Sequence, residues 1–114
     1  MKYKIFYIDD EAENLRAFKA VFRREYDIFT TDSPMNGIDY LRNNQVDLII
    51  ADQRMPVMTG VEFLQKVNDI LPEKPPCRII YSGYSLTKDI EEGKRKNWFS
   101  FFVPKFTHYE IVKI

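Results

Sequence analysis

The chain holds one cysteine and one histidine, four glycines among 114 residues, and no excess of charge of either sign. A single cysteine, Cys77, cannot close an internal disulfide, and with one histidine beside it there is no zinc-type ligand set. Cys77 reads as a small apolar residue entering a buried strand. Lys+Arg and Asp+Glu number 17 each, so the formal net charge is zero. That balance gives no basic footprint for nucleic acid and no polybasic patch for a membrane surface. No apolar stretch approaches the roughly 20 residues that span a bilayer, and the N-terminus enters a strand-like run without the regions of a signal peptide. The expectation is one cytoplasmic globular domain over residues 1–114, without direct nucleic-acid or membrane binding.

Against that plain background, polar residues recur where hydrophobic runs stop. Tyr3 to Ile8 ends at Asp9-Asp10, Val46 to Ala51 at Asp52, Cys77 to Tyr81 at Ser82-Gly83, and Phe99 to Val103 at Pro104-Lys105. If these runs are parallel strands, their carboxyl ends share the sheet edge where open α/β sheets build their sites. Three acids, a hydroxyl and an ammonium then meet there.

The segments between the runs read as helices. Asp10 with Glu13 predicts a capping box for a helix over 11–24, with Leu15, Phe18, Val21 and Phe22 as its apolar stripe. Residues 26–31 form a short strand, and Ser33-Pro34 starts a second helix whose stripe is Met35, Ile38 and Leu41. Residues 46–51 are apolar almost throughout after Asp47, as befits a strand covered on both faces. Thr59 and Glu62 cap a third helix carrying Val61, Leu64, Val67 and Leu71, which Pro72, Pro75 and Pro76 terminate. Segment 85–97 predicts a short fourth helix anchored by Ile90, interrupted by Gly93 and solvated by Lys94-Arg95-Lys96. After a strand at 99–103, Thr107 and Glu110 suggest a capping box for a fifth helix that is short or truncated. Strands alternating with helices predict a doubly wound five-stranded parallel sheet, order 2-1-3-4-5, with helices on both faces.

The residues at the strand ends carry a family likeness over essentially the whole chain. Asp9-Asp10, Asp52, Met55-Pro56, Gly60, Ser82-Gly83 and Pro104-Lys105 match, in order and approximate spacing, the receiver domain of bacterial two-component response regulators. The chain resembles that flavodoxin-like family, and each motif is weak alone but specific jointly. The resemblance implies a phosphorelay switch in which Asp52 is the phospho-acceptor. It takes its phosphoryl group from a sensor histidine kinase or phosphotransfer protein, and the domain catalyses only its own phosphorylation and dephosphorylation.

It further implies Mg²⁺, with Mn²⁺ as an alternative, held by Asp9, Asp10, Asp52 and the main-chain carbonyl of Arg54. Carboxylate oxygens suit such a hard cation, which offsets repulsion between an anionic donor and an anionic acceptor. Lys105 and the Ser82 hydroxyl would contact phosphoryl oxygens, and Ser82 with Phe102 would form the switch that alters the surface of the fourth helix, fifth strand and fifth helix. That surface would address an effector domain, an output protein or a second receiver. Phe102 lacks a tyrosine's hydroxyl, and Phe106 stands where the family usually has proline. Bulky Arg54 and Tyr84 would hinder attacking water and lengthen the phosphorylated state's lifetime.

Three other readings fit these residues less well. A small aspartate-nucleophile phosphatase usually wants Asp-x-Asp after its first strand, where this chain has Asp9-Asp10-Glu11. A receiver serving only as an interaction module would lack an acceptor, a metal carboxylate or the lysine, and this chain has Asp52, Asp9, Asp10 and Lys105. A flavin module of this topology would not place acids where a cofactor phosphate binds. His108 reads as a surface or helix-end residue.

Overall fold

A computed structural model describes residues 2–71, 76–82 and 88–104. The order is β1 (Tyr3–Ile8), α1 (Ala12–Phe22), β2 (Tyr26–Thr31), α2 (Pro34–Asn43), β3 (Leu48–Asp52), α3 (Gly60–Ile70), β4 (Cys77–Ser82), α4 (Lys88–Arg95) and β5 (Phe101–Pro104). The five strands form one parallel sheet in the order β2-β1-β3-β4-β5, as the alternation predicts. The fifth helix expected from Thr107 and Glu110 lies outside the described residues, as do Tyr84, Phe106 and His108. None of the described helices is long and apolar enough to cross a membrane.

Side chains alternate across a strand, so the sheet sorts its residues into two cores. Ile5, Tyr7, Ile50 and Ile79 face α1, where Leu15, Phe18 and Phe22 meet them. Phe6, Ile8, Ile49 and Ile80 face the other way, against Leu41 of α2, Phe63 and Leu64 of α3, and Ile90 of α4. Each fully buried Phe, Leu or Ile contributes about 1.5–3 kcal/mol. Phe6 sits at the centre of an aromatic group, stacked on Phe63 and Phe29 at 5.8 and 5.7 Å between ring centroids.

The helix starts divide into one correction and two agreements. Asp10 is not the cap of α1: the N-cap is Glu11, whose side chain makes no capping bond. The acid before it takes part of that role instead, because Asp9 Oδ1 accepts the Glu11 N–H at 2.9 Å. Ser33 caps α2 with Pro34 in its first turn, and Thr59 with Glu62 forms the full capping box of α3.

Two stripe residues are also corrected, since Met35 is 81% exposed and Val21 49%. The buried face of α2 comprises Pro34, Gly37 and Leu41, because a side chain at position 37 would press on the Phe6 ring, 2.8 Å from Cζ. Gly93, read as an interruption, is a packing residue. A β-carbon there would lie 2.9 Å from the Phe99 ring and 3.0 Å from Val61, so its absence lets α4 close on both. Ile90 is fully buried as expected, and Lys94, Arg95 and Lys96 are exposed.

Candidate functional site

Strand register brings the acids together. Ile8 pairs with Ala51, so Asp9 and Asp52 leave neighbouring strands side by side, and Asp52 pairs in turn with Tyr81 of β4. One carboxylate oxygen from each of Asp9, Asp10 and Asp52 lies within 4.8 Å of the other two. Asp9 is wholly buried, Asp52 is 3% exposed and Asp10 is exposed.

Like charges about 5 Å apart repel by roughly 3 kcal/mol per pair at an effective dielectric of about 20. A bound divalent cation reverses that penalty, and three carboxylates, one open to solvent, are the hard oxygen donors that Mg²⁺ or Mn²⁺ takes alongside water. The donor set therefore fits the ion expected from the sequence. Exposed Arg54 follows two residues after Asp52 on the loop leaving β3. Lys105 and the side chains of Ser82 and Phe102 lie outside the described residues. Of those positions, the Ser82 backbone ends β4 one residue beyond the partner of Asp52.

Buried Asp9 has more than its neighbours to hold it. Its Oδ2 accepts the Tyr7 hydroxyl at 2.7 Å and the Asn14 side-chain amide at 3.2 Å, while Oδ1 takes the Glu11 N–H. Burial, then the charge of Asp9 and the hydrogen bond to it, push the Tyr7 phenol far above the usual tyrosine range. Burial, followed by the charges of Asp9 and Asp52, does the same to Tyr81. Both rings stay neutral beneath the acids.

Neither tyrosine was expected at the site, although one signal exists. Tyr7 precedes Asp9 by two residues, and two residues is the strand period that puts both on one face. Gln53 was also missed. Its side-chain carbonyl accepts the Val61 N–H at 3.0 Å and its backbone carbonyl accepts the Gly60 N–H at 3.1 Å, tying the end of β3 to the start of α3. A glutamine inside a loop announces nothing of that kind.

A doubly wound sheet whose central strands deliver three clustered carboxylates to one edge defines a narrow class of α/β domain, and comparison with known proteins places the chain within it. A family model described as the response regulator receiver domain matches residues 5–114. The chain belongs to that family. It is 35% identical over 89 residues to the hydrogenase transcriptional regulatory protein HoxA of Bradyrhizobium diazoefficiens, covering 78% of this chain and 18% of that protein. It is 27% identical over 112 residues to the sporulation initiation phosphotransferase F of Bacillus subtilis, covering 97% of this chain and 89% of that protein. The chain thus spans less than a fifth of the HoxA proteins it matches. Among solved structures, a CheY-like response regulator receiver domain protein from Methanospirillum hungatei aligns with a TM-score of 0.87 at 19% identity, over 99% of this chain and 90% of that one. That likeness shows the fold.

Proposed function

We propose that this receiver domain accepts a phosphoryl group on Asp52 from a sensor histidine kinase or phosphotransfer protein, with Mg²⁺ required and Mn²⁺ able to replace it. The observation that supports this most directly is the convergence of Asp9, Asp10 and Asp52 to within 4.8 Å. A carboxylate oxygen of Asp52 attacks phosphorus, the new O–P bond forms as the bond from phosphorus to the donor nitrogen breaks, and an acyl phosphate results. Asp9, Asp10, Asp52 and the Arg54 carbonyl would hold the cation, which neutralises the charge that gathers between donor and acceptor.

In the same reading, Lys105 supplies a point charge to one phosphoryl oxygen and Ser82 a hydroxyl to another. Loss of the free carboxylate charge and gain of a dianion at position 52 then biases Ser82 and Phe102. The surface of α4, β5 and the segment after it changes for an effector domain, an output protein or a second receiver. Arg54 and Tyr84 shield the phosphoryl group from water.

Mass spectrometry after incubation with acetyl phosphate and Mg²⁺ tests the acceptor. Wild type should gain the mass of one phosphoryl group, and Asp52→Asn or omission of the metal should abolish the gain. Equal labelling of wild type and Asp52→Asn would move the acceptor elsewhere.

A further inference from the structure

We infer that Tyr7 is a positioning residue whose hydroxyl fixes the Asp9 carboxylate and thereby sets how tightly the acidic edge takes a divalent cation. The inference rests on the reading that Asp9, Asp10 and Asp52 hold such a cation.

Its basis is the rigidity of the donor. The Tyr7 ring is wholly buried, meets Phe18 edge-on at 5.0 Å and Tyr81 edge-on at 5.9 Å, and rides on a strand paired on one side with Thr30 and on the other with Ile50. Its hydroxyl reaches along one face of β1 and its end to the carboxylate two residues on, at 2.7 Å. Hydrogen bonds to an ionised acceptor are roughly twice as strong as neutral ones.

Asn14 donates to the same Oδ2 while the Glu11 N–H holds Oδ1, so rotation of the carboxylate would forfeit all three bonds together. The Asn14 bond is longer, at 3.2 Å, and comes from a half-buried side chain on α1. Tyr7 is therefore the stiffer of the two side-chain supports. Partners of this kind, one bond removed from the ion, typically change metal affinity about 10- to 100-fold when lost.

Tyr7→Phe keeps the ring and removes only the hydroxyl. Mn²⁺ titration, followed by the electron paramagnetic resonance signal of the free ion and repeated calorimetrically with Mg²⁺, should show the dissociation constant rising about 10-fold. Asn14→Ala, at a less buried site, should raise it by a smaller factor and serves if Tyr7→Phe fails to fold. Leu41→Ala, in the opposite core, should lower the melting temperature yet leave the constant within about twofold, a contrast a merely structural role for Tyr7 would not give. Wild-type affinity in a folded Tyr7→Phe, or in Asn14→Ala where Tyr7→Phe does not fold, overturns the inference alone. A wild-type protein that binds neither ion overturns it together with the cation-holding part of the proposed function.

Discussion

Gly60 stands so close to Asp52 that a methyl group on its α-carbon would overlap the Asp52 carbonyl oxygen and lie 2.9 Å from the carbonyl carbon. The first residue of α3 thus rests on the backbone of the candidate acceptor, held there by the Gly60 N–H bonded to the Gln53 carbonyl. Backbone cannot yield as a flexible side chain can. Although alanine favours helix by up to about 1 kcal/mol, Gly60→Ala should cost a net amount of about 1–3 kcal/mol. It should also slow labelling of Asp52 by acetyl phosphate. A urea midpoint at or above wild type would show that the two segments are not so tightly apposed.

Asn97 closes α4 in the left-handed region, at φ 61°. Around it the Trp98 N–H reaches the Gly93 carbonyl at 2.9 Å and the Asn97 N–H the Lys94 carbonyl at 3.2 Å, the paired bonds of a Schellman ending. A β-branched side chain resists this conformation by about 1–2 kcal/mol. Asn97→Val should lose that much stability in chemical denaturation, whereas Asn97→Gly should match or exceed wild type. Similar losses in both variants would point to an asparagine side-chain contact instead.

Arg78 carries a guanidinium into the sheet with little to receive it. Its Nη1 donates to Asn68 Oδ1 at 3.0 Å, while Nε has no partner among the described residues. Burial lowers its pKa, with the neighbouring Cys77 acting in the opposite direction. Replacing a buried charge by an apolar side chain of similar length is often neutral or favourable. Arg78→Met should therefore unfold at an equal or higher denaturant concentration, and Asn68→Ala should lose about 1–3 kcal/mol by stripping the charge of its acceptor. The opposite ranking of the two variants would mean that the guanidinium is better satisfied than this geometry allows.

The two neutral phenols set an alkaline limit. Tyr7 and Tyr81 are at most 1% exposed and both titrate above the ordinary value of 10.0. Below pH 10 the folded and unfolded chains both retain these protons, so stability from this source is level. Above it the unfolded chain releases them first, and stability should fall by about 1.4 kcal/mol per pH unit for each tyrosine until the folded values are reached. Urea midpoints measured between about pH 9 and 11 should show the decline, and Tyr7→Phe should make it shallower. An unchanged slope in that variant would remove Tyr7 as a source.

The strands were legible because an apolar run closed by an acid or hydroxyl states both its length and its edge. β1 and β4 begin and end within a residue of the expected positions. β3 was shifted by the apolar approach through Val46, which packs near the core without joining the ladder. Clustering of Asp9, Asp10 and Asp52 was legible for the same reason. What failed was tertiary. Met35 fits a helical stripe, but Gly37 is the residue against Phe6, and glycine carries no hydrophobic signal. Phe63 lay beside the expected stripe of α3 and became one of its most buried residues because the stacked rings of Phe6 and Phe29 widen that face. Tyr7 stood unmarked within a hydrophobic run, whereas its ring is core and its oxygen belongs to the site. Lys105 and the side chains of Ser82 and Phe102 lie outside the described residues.

β3 is flanked by a hydrogen-bonded neighbour along both sides, by β1 over Leu48–Ala51 and by β4 over Leu48–Asp52. Doubly tethered strands exchange their amide hydrogens slowly and open last. The carboxylate at position 52 therefore rides on one of the least yielding parts of the sheet. If Asp52 takes the phosphoryl group as proposed, the rearrangement should fall in segments anchored on one side only rather than in β3.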